Sequence, residues 1–476
     1  MATSATILAT TTASSTSTRN ACKLCAPLGA SVVFKGIKNC LPVIHGAQGC
    51  ATYIRRYMIS HYKEPVDIAS TNFSEATTIF GGAKNLNAAL DNIIKQYHPG
   101  VIGIASACLS ETIGEDIPKM IHEYQKANEG KPLPILIHAS TPSYDGSHID
   151  GFHEAVLASV AALANSKHPD ERRINIFPGF VSPEDIRHLK EILFSFGLDY
   201  VLFPDYSDTL DNPNWKEYQI IPEGGTSVED LRRTGSARAS IEFGYVLNKG
   251  KVKNKYREKG MPFPNNNTTA AGWLEQNFNI PAKRLGLPIG IKETDRFFHT
   301  LEDLSGKKTP KSQERLRGRL IDAYIDGHKY LFGKRAIVFG EEDLVIGIVS
   351  FLEEIGVETV LVASGGESGL LKKEIERITG DRSKNIRAIN GMDFETINEL
   401  AEELHADLMI GNSKGYYIAR RLGIPHVRVG FPVHDRIGGQ RLLHLCYEGT
   451  LRLFDQITNA LIEYKQEHSP VGYKYI

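Results

Sequence analysis

From residue 101 onward, short and wholly apolar runs alternate with longer amphipathic ones. VIGIAS (101–106) reads as a buried strand, and residues 112–126 carry the spacing of the helix after it. PILIHAS (134–140) predicts the next strand, and a Pro/Gly turn leads to a helix over 154–164. INIFPGF (174–180), a helix over 183–196 and YVLFPD (200–205) repeat the unit. Strands separated by helices of this length predict right-handed βαβ units and parallel sheets.

Residues 206–280 are less regular. They hold the turn PEGG (222–225), the basic run NKGKVKNKYREKG (248–260), read as a solvated face, and the loop PFPNNNTTAAG (262–272). A third block begins with RAIVFG (335–340) and a helix over 344–355. ETVLVAS (358–364), a helix over 370–378, ADLMIGN (406–412) and a last helix over 447–464 follow. The expected fold class is α/β, with three Rossmann-like domains whose parallel sheets surround a shallow cleft. The expected boundaries are a disordered tail at 1–20 and domains at 21–170, 171–300 and 301–476.

Composition narrows the function. The 476 residues are too many for one core and suit about three domains. A net charge of −1 gives no electrostatic case for nucleic acid, and no run of 18 apolar residues predicts a membrane span. The Ser/Thr/Ala-rich start lacks the features of a secretory signal or transit peptide, so a cytoplasmic setting is expected. The turn after RAIVFG lacks G-x-G-x-x-G, and no P-loop pattern occurs, so nucleotide chemistry has little support.

Cysteines carry the candidate chemistry. Cys22, Cys50 and Cys108 stand in CKLCAPLGA, HGAQGC and ASACLSETIGED, each at a turn or strand end. Without a secretion signal, thiols gathered by a fold suggest iron–sulfur ligation before disulfides. Gly46 and Gly49 would let the backbone approach a bulky inorganic group. Cys22 and Cys25 form a CxxC unit; alone it could be a zinc half-site or a redox pair, but no second CxxC follows and no thioredoxin-like context surrounds it. Cys40 and Cys446 read as small hydrophobes. His45 is a ligand or proton donor, or a hydrogen-bonding residue shaping the Cys50 loop. Ser143, in STPSYDGS, ends a strand and could approach the same region. Asp322 and Asp326, four residues apart on one helix face, suit either a hard cation or a solvated acidic face.

Together these segments resemble the component 1 superfamily of nitrogenase, and specifically its β-type subunits. The resemblance also rests on HYKEPVDIAS, FGGAKNL, RGRLIDAYIDGH, GNSKGYYIA, RVGFPVHDR and CYEGTLRLFDQI, and covers the chain from about Cys22. It implies an α2β2 heterotetramer with a homologous α-type subunit, served by a reductase iron protein. Cys22, Cys50 and Cys108 would supply half of an interface cluster, with Ser143 near it. That cluster is an [8Fe–7S] P-cluster in catalytic relatives and a simpler [4Fe–4S] cluster in assembly relatives. Cys25 is an extra thiol, and the match to PLGA favours Cys22. Glu64, Asp322 and Asp326 match acidic positions of a structural divalent-cation site between β subunits. CKLCAPLGA, YIRRYMISHYKEP and SETIGED look most like NifN, a chain of the scaffold for iron–molybdenum cofactor biosynthesis. The alternative is a catalytic β subunit of nitrogenase or of a nitrogenase-like methylthio-alkane reductase.

Overall fold

The computed structural model describes residues 20–165, 170–214, 216–247 and 268–470. The expected tail, except residue 20, lies outside them, as do the whole basic run 248–260 and the loop up to residue 267.

Three all-parallel sheets organise the described residues. The first has β1 (Cys40–His45), β2 (Ala69–Ser70), β3 (Val101–Ser106) and β4 (Ile135–Ala139), in the order β2-β1-β3-β4. The second has β5 (Asp170–Phe177), β6 (Asp199–Leu202), β7 (Ala237–Phe243) and β8 (Ala282–Leu285), in the order β6-β5-β7-β8. The third has β9 (Arg335–Phe339), β10 (Glu358–Ala363), β11 (Arg387–Ile389), β12 (Leu408–Gly411) and β13 (His426–Arg428), in the order β11-β10-β9-β12-β13. The α/β expectation holds. VIGIAS, INIF, RAIVF, ETVLVA and LMIG form interior strands, where helices cover both faces of a parallel sheet. PILIHAS and YVLFPD form the edge strands β4 and β6, with partly exposed residues.

Several helices begin or break elsewhere than the periodicity predicts. The helix expected over 112–126 is two, Cys108–Thr112 and Ile117–Ala127. Gly114 at φ +75° turns the chain between them, and the Asp116 carboxylate caps the second by accepting from the Lys119 N–H. The helix expected at 154 starts six residues earlier, in His148–Leu163, where Ser147 caps it. Within the irregular stretch lie helices Val228–Arg233 and Ala270–Phe278, and β7 in the interior of its sheet.

Helix Ala26–Lys35 is buried along its whole length and packs on His148–Leu163. The approach is close: a Cβ on Gly29 would lie 1.7 Å from the His148 carbonyl oxygen, so only glycine fits. One apolar cluster runs along all three sheets, from Phe34 and Phe152 through Phe203 and Phe297 to Phe351 and Phe454, and two separate clusters lie on the third and first sheets around Phe339 and Ile102. At the junction is a cavity of about 300 Å³, lined by His148, Leu247, Glu341 and Gly365 among others. Among the described residues, no helix is long and apolar enough to cross a membrane.

Candidate functional site

Parallel strands joined by crossover helices bring their carboxyl ends to one edge of the sheet. In the first sheet, β1 and β3 run in register from Cys40↔Val101 to His45↔Ser106. Their exits hold residues 46–50 and 107–108 side by side, and the exit of β4 adds 140–143.

Cys108 opens helix Cys108–Thr112. Its position is fixed from below, since the Ala107 N–H donates to the His45 carbonyl at 3.0 Å and the Ser110 hydroxyl donates to that carbonyl at 2.9 Å. Cys50 stands exposed in the first turn of helix Gln48–Tyr62. Gly46 permits the close approach of the two exits, because a Cβ there would lie 2.5 Å from the Ala107 Cβ. Gly49 is different: nothing lies within 4 Å of where its Cβ would stand, so that side of the loop is open.

The third thiol of this face is Cys25, not Cys22. Cys25 flanks the start of helix Ala26–Lys35, with Pro27 in the first turn. Its thiol is pushed up to about 11, first by burial and then by the neighbouring Cys50 and Cys108 thiols. Burial and Cys108 likewise push Cys50 up. Ser143 clamps the arrangement: its N–H donates to the Cys108 Sγ at 3.3 Å, and its hydroxyl accepts from the Ala26 N–H at 3.0 Å.

Cys22 packs against the third sheet. Its N–H donates to the Met392 carbonyl at 3.0 Å and its carbonyl accepts from the Gly365 N–H at 3.2 Å. Its side chain packs with Ile337, Phe339 and Leu361. Burial and then Glu341 push its thiol up to about 12, against the pull of the Lys414 ammonium. The expectation that Cys22 joins Cys50 and Cys108 is therefore corrected. Backbone pairing to a sheet more than 300 residues away draws Cys22 off, while the helix start carries Cys25 to the thiol face. The available signal was Pro27, which marks a first helical turn and places Cys25 at its flank.

The donor set fits a metal cluster. All six cysteines are free thiols, and burying three thiolates together is costly without a cation. Among the described residues, no three His, Cys, Asp or Glu side chains converge tightly enough for one metal ion. Thiols that influence one another from a wider spacing suit a polynuclear centre. The face opens outward, with Cys50 exposed and Cys25 and Cys108 half-buried. Tyr53, Ile79, Phe80 and Tyr144 are exposed on nearby segments, Phe80 at 87%.

Beneath the thiols lies a polar layer that sequence reasoning met only as His45. The His45 Nε2 is 2.5 Å from the Glu115 carboxylate, which also accepts from the Gly82 N–H. Glu111 accepts from the hydroxyls of Ser106 and Ser140, bridging the exits of β3 and β4.

The acidic positions are not assembled within the chain. Asp322 and Asp326 are exposed on helix Lys311–Leu331. Glu64 accepts from the Asn212 N–H at 3.2 Å, with Asp211 and Arg441 nearby. Cys40 and Cys446 are buried in the core as small hydrophobes.

Comparison with known proteins identifies the family. The family model described as "Nitrogenase component 1 type Oxidoreductase" matches residues 25–462. The nitrogenase molybdenum-iron protein beta chain of Clostridium pasteurianum is 36% identical over 448 residues, 93% of each chain. The nitrogenase vanadium-iron protein beta chain of Trichormus variabilis is 33% identical over 458 residues, 93% of this chain and 94% of its own. The solved structure of nitrogenase Cp1 at pH 6.5 superposes with a TM-score of 0.90 at 34% identity, covering 97% of each chain. These relatives are named as nitrogenase chains, which favours the catalytic β-chain alternative over the NifN-type scaffold expected from the sequence segments. The chain belongs to the nitrogenase component 1 family and is similar to its β chains.

Proposed function

We propose that this chain is the β-type subunit of a nitrogenase-like oxidoreductase and holds half of an iron–sulfur cluster of the [8Fe–7S] kind. The other half comes from an α-type partner in an α2β2 heterotetramer, and a reductase iron protein supplies the electrons. The carrying observation is the trio of Cys25 at a helix start with Cys50 and Cys108 at two adjoining strand exits, clamped by Ser143. Such a cluster, when bound, relays electrons. The chain's own part is to fix three thiolates, shield them from one side with the β1, β3 and β4 exits, and offer exposed apolar side chains to the partner.

The same reading takes Asp322 and Asp326 as ligands offered to a divalent cation between β subunits, and Glu64 as a further carboxylate of that site. These groups do not meet within one chain, so the site requires a second copy.

The test is to purify the chain with its natural partner, count iron per αβ pair and record the EPR spectrum. An eight-iron signature with turnover of N2 or a thioether supports the proposal. A four-iron cluster without turnover would restore the assembly scaffold.

A further inference from the structure

Ser143 reaches the thiol face from the irregular segment between β4 and helix His148–Leu163. Its N–H lies on the Cys108 Sγ at 3.3 Å and its hydroxyl on the Ala26 N–H, beside Cys25. Hydrogen bonds to cysteine sulfurs are one means by which a protein sets the potential of an iron–sulfur centre. A donor carried by a loop keeps that setting only while the loop itself is held.

Glu111 does the holding. It stands three residues after Cys108 in the same short helix, half-buried. One carboxylate oxygen, Oε1, accepts from two hydroxyls, that of Ser106 at the end of β3 and that of Ser140 just past β4. With its proton committed to Glu111, the Ser106 hydroxyl oxygen accepts from the Thr141 N–H at 2.9 Å. The Thr141 hydroxyl donates back to the Ser106 carbonyl at 2.6 Å. The loop is thus tied at residues 140 and 141, and Pro142, with its fixed φ, leads from there to Ser143. Hydrogen bonds to an ionised carboxylate are roughly twice as strong as neutral ones. Because thiol and carboxylate share one helix, Cys108 and the anchor of its amide donor move as a unit.

We propose that Glu111 is a positioning residue that holds the Ser143 N–H on the Cys108 Sγ, and so raises the reduction potential of the centre held by Cys25, Cys50 and Cys108. The inference deepens the iron–sulfur reading and rests on it. The charge of Glu111 and its role as an acceptor act in opposite directions. A nearby anion disfavours an added electron, whereas the amide that Glu111 holds in place favours one.

The test compares Glu111→Gln with Glu111→Ala in the purified α2β2 complex, by EPR-monitored redox titration with iron counted in each preparation. Both variants lose the charge, and only glutamine keeps an oxygen for the two serine hydroxyls, so the comparison isolates the clamp. At equal iron content the alanine variant should titrate at the lower potential. The hyperfine coupling of the exchangeable amide proton, read by ENDOR before and after transfer to D2O, should persist in Glu111→Gln and weaken in Glu111→Ala. Adding Ser140→Ala to Glu111→Gln should move the potential toward that of the alanine variant. Equal potentials, the reverse order, or an amide coupling unchanged between the two variants would overturn the proposal. If Glu111→Ala sheds iron, the Ser140→Ala addition decides, because it removes one donor and leaves the acceptor; no shift there overturns the proposal. Iron lost from that variant too would make Glu111 a support for cluster retention alone, and the proposal falls. A wild type without iron fails the cluster reading itself, before any variant is compared.

Discussion

Replacing Cys25 and Cys22 separately by alanine distinguishes the two thiols of the CxxC unit. Cys25 shares its face with Cys50 and Cys108, so Cys25→Ala removes one of three thiolates from the shared centre. Loss of a direct ligand should weaken metal retention by at least the ~10–100-fold typical of outer-shell partners. Cys22→Ala removes one buried sulfur from a packed apolar cluster. Its transfer term is about 0.8 kcal/mol, close to that of one methylene, and the residual cavity brings the total to about 1–2 kcal/mol. In a chain of 476 residues the unfolding entropy is roughly 1 kcal/mol/K, so the thermal midpoint falls by only about 1–2 °C. Both variants are purified with the α-type partner and compared by iron per αβ pair, EPR amplitude and thermal midpoint. The expected result is iron loss in Cys25→Ala, and full iron with a slightly lower midpoint in Cys22→Ala. Iron lost from Cys22→Ala but retained in Cys25→Ala would refute the assignment.

Three further outcomes follow from the geometry. Gly29→Ala drives a Cβ into the His148 carbonyl, a backbone atom that cannot turn aside, so it should cost about 3 kcal/mol or more and lower the yield of folded chain. An unchanged midpoint would show that the two helices have slack. Burial holds Asp343 up to about 6 and Glu342 up to about 7, above the ordinary 3.8 and 4.5. The folded chain therefore binds these protons more tightly than the unfolded one. Their stabilising contribution is full below pH 4 and is lost as the pH rises through 6 and 7. Asp343→Asn, which keeps the acceptor for the Tyr245 and Val246 amides, should flatten the fall in midpoint across that window. Equal slopes in mutant and wild type would refute the reasoning. Asp322→Asn with Asp326→Asn should shift the complex from α2β2 toward αβ in light scattering, as should a chelator. A tetramer indifferent to both would remove the inter-β cation site.

The parts of the fold legible in the sequence are those where burial acts on every residue of a run. VIGIAS, RAIVF and ETVLVA announce themselves because both faces of a parallel sheet are covered. β7 hid because ARASIEF places Arg238 and Glu242 in a strand interior. There Glu242 is buried, accepts from the Ala271 amide and lies 3.8 Å from Arg284. β1 hid behind Pro42, which argues against a strand interior. The structure accommodates it because β2 pairs only with Val43 and Ile44 on that flank.

The candidate site was half legible for a related reason. Cys50 and Cys108 follow their own strands, so the chain that builds each exit also delivers its thiol, and local sequence suffices. In the CxxC unit the two thiols are three residues apart, and spacing alone gives no reason to prefer either. The choice is made by what each end of the tetrapeptide is anchored to. Cys22 is tied to Met392 and Gly365, contacts whose sequence separation leaves no local trace. Cys25 is tied to a helix whose first turn announces itself through Pro27. A thiol beside a helix start that packs under the same sheet is carried to that sheet's edge. A thiol upstream of it is free to be captured by another domain, as Cys22 is. The tetrapeptide therefore bridges the first and third sheets, with Cys22 held by the Met392 and Gly365 backbone and Cys25 by the helix that packs under the first sheet.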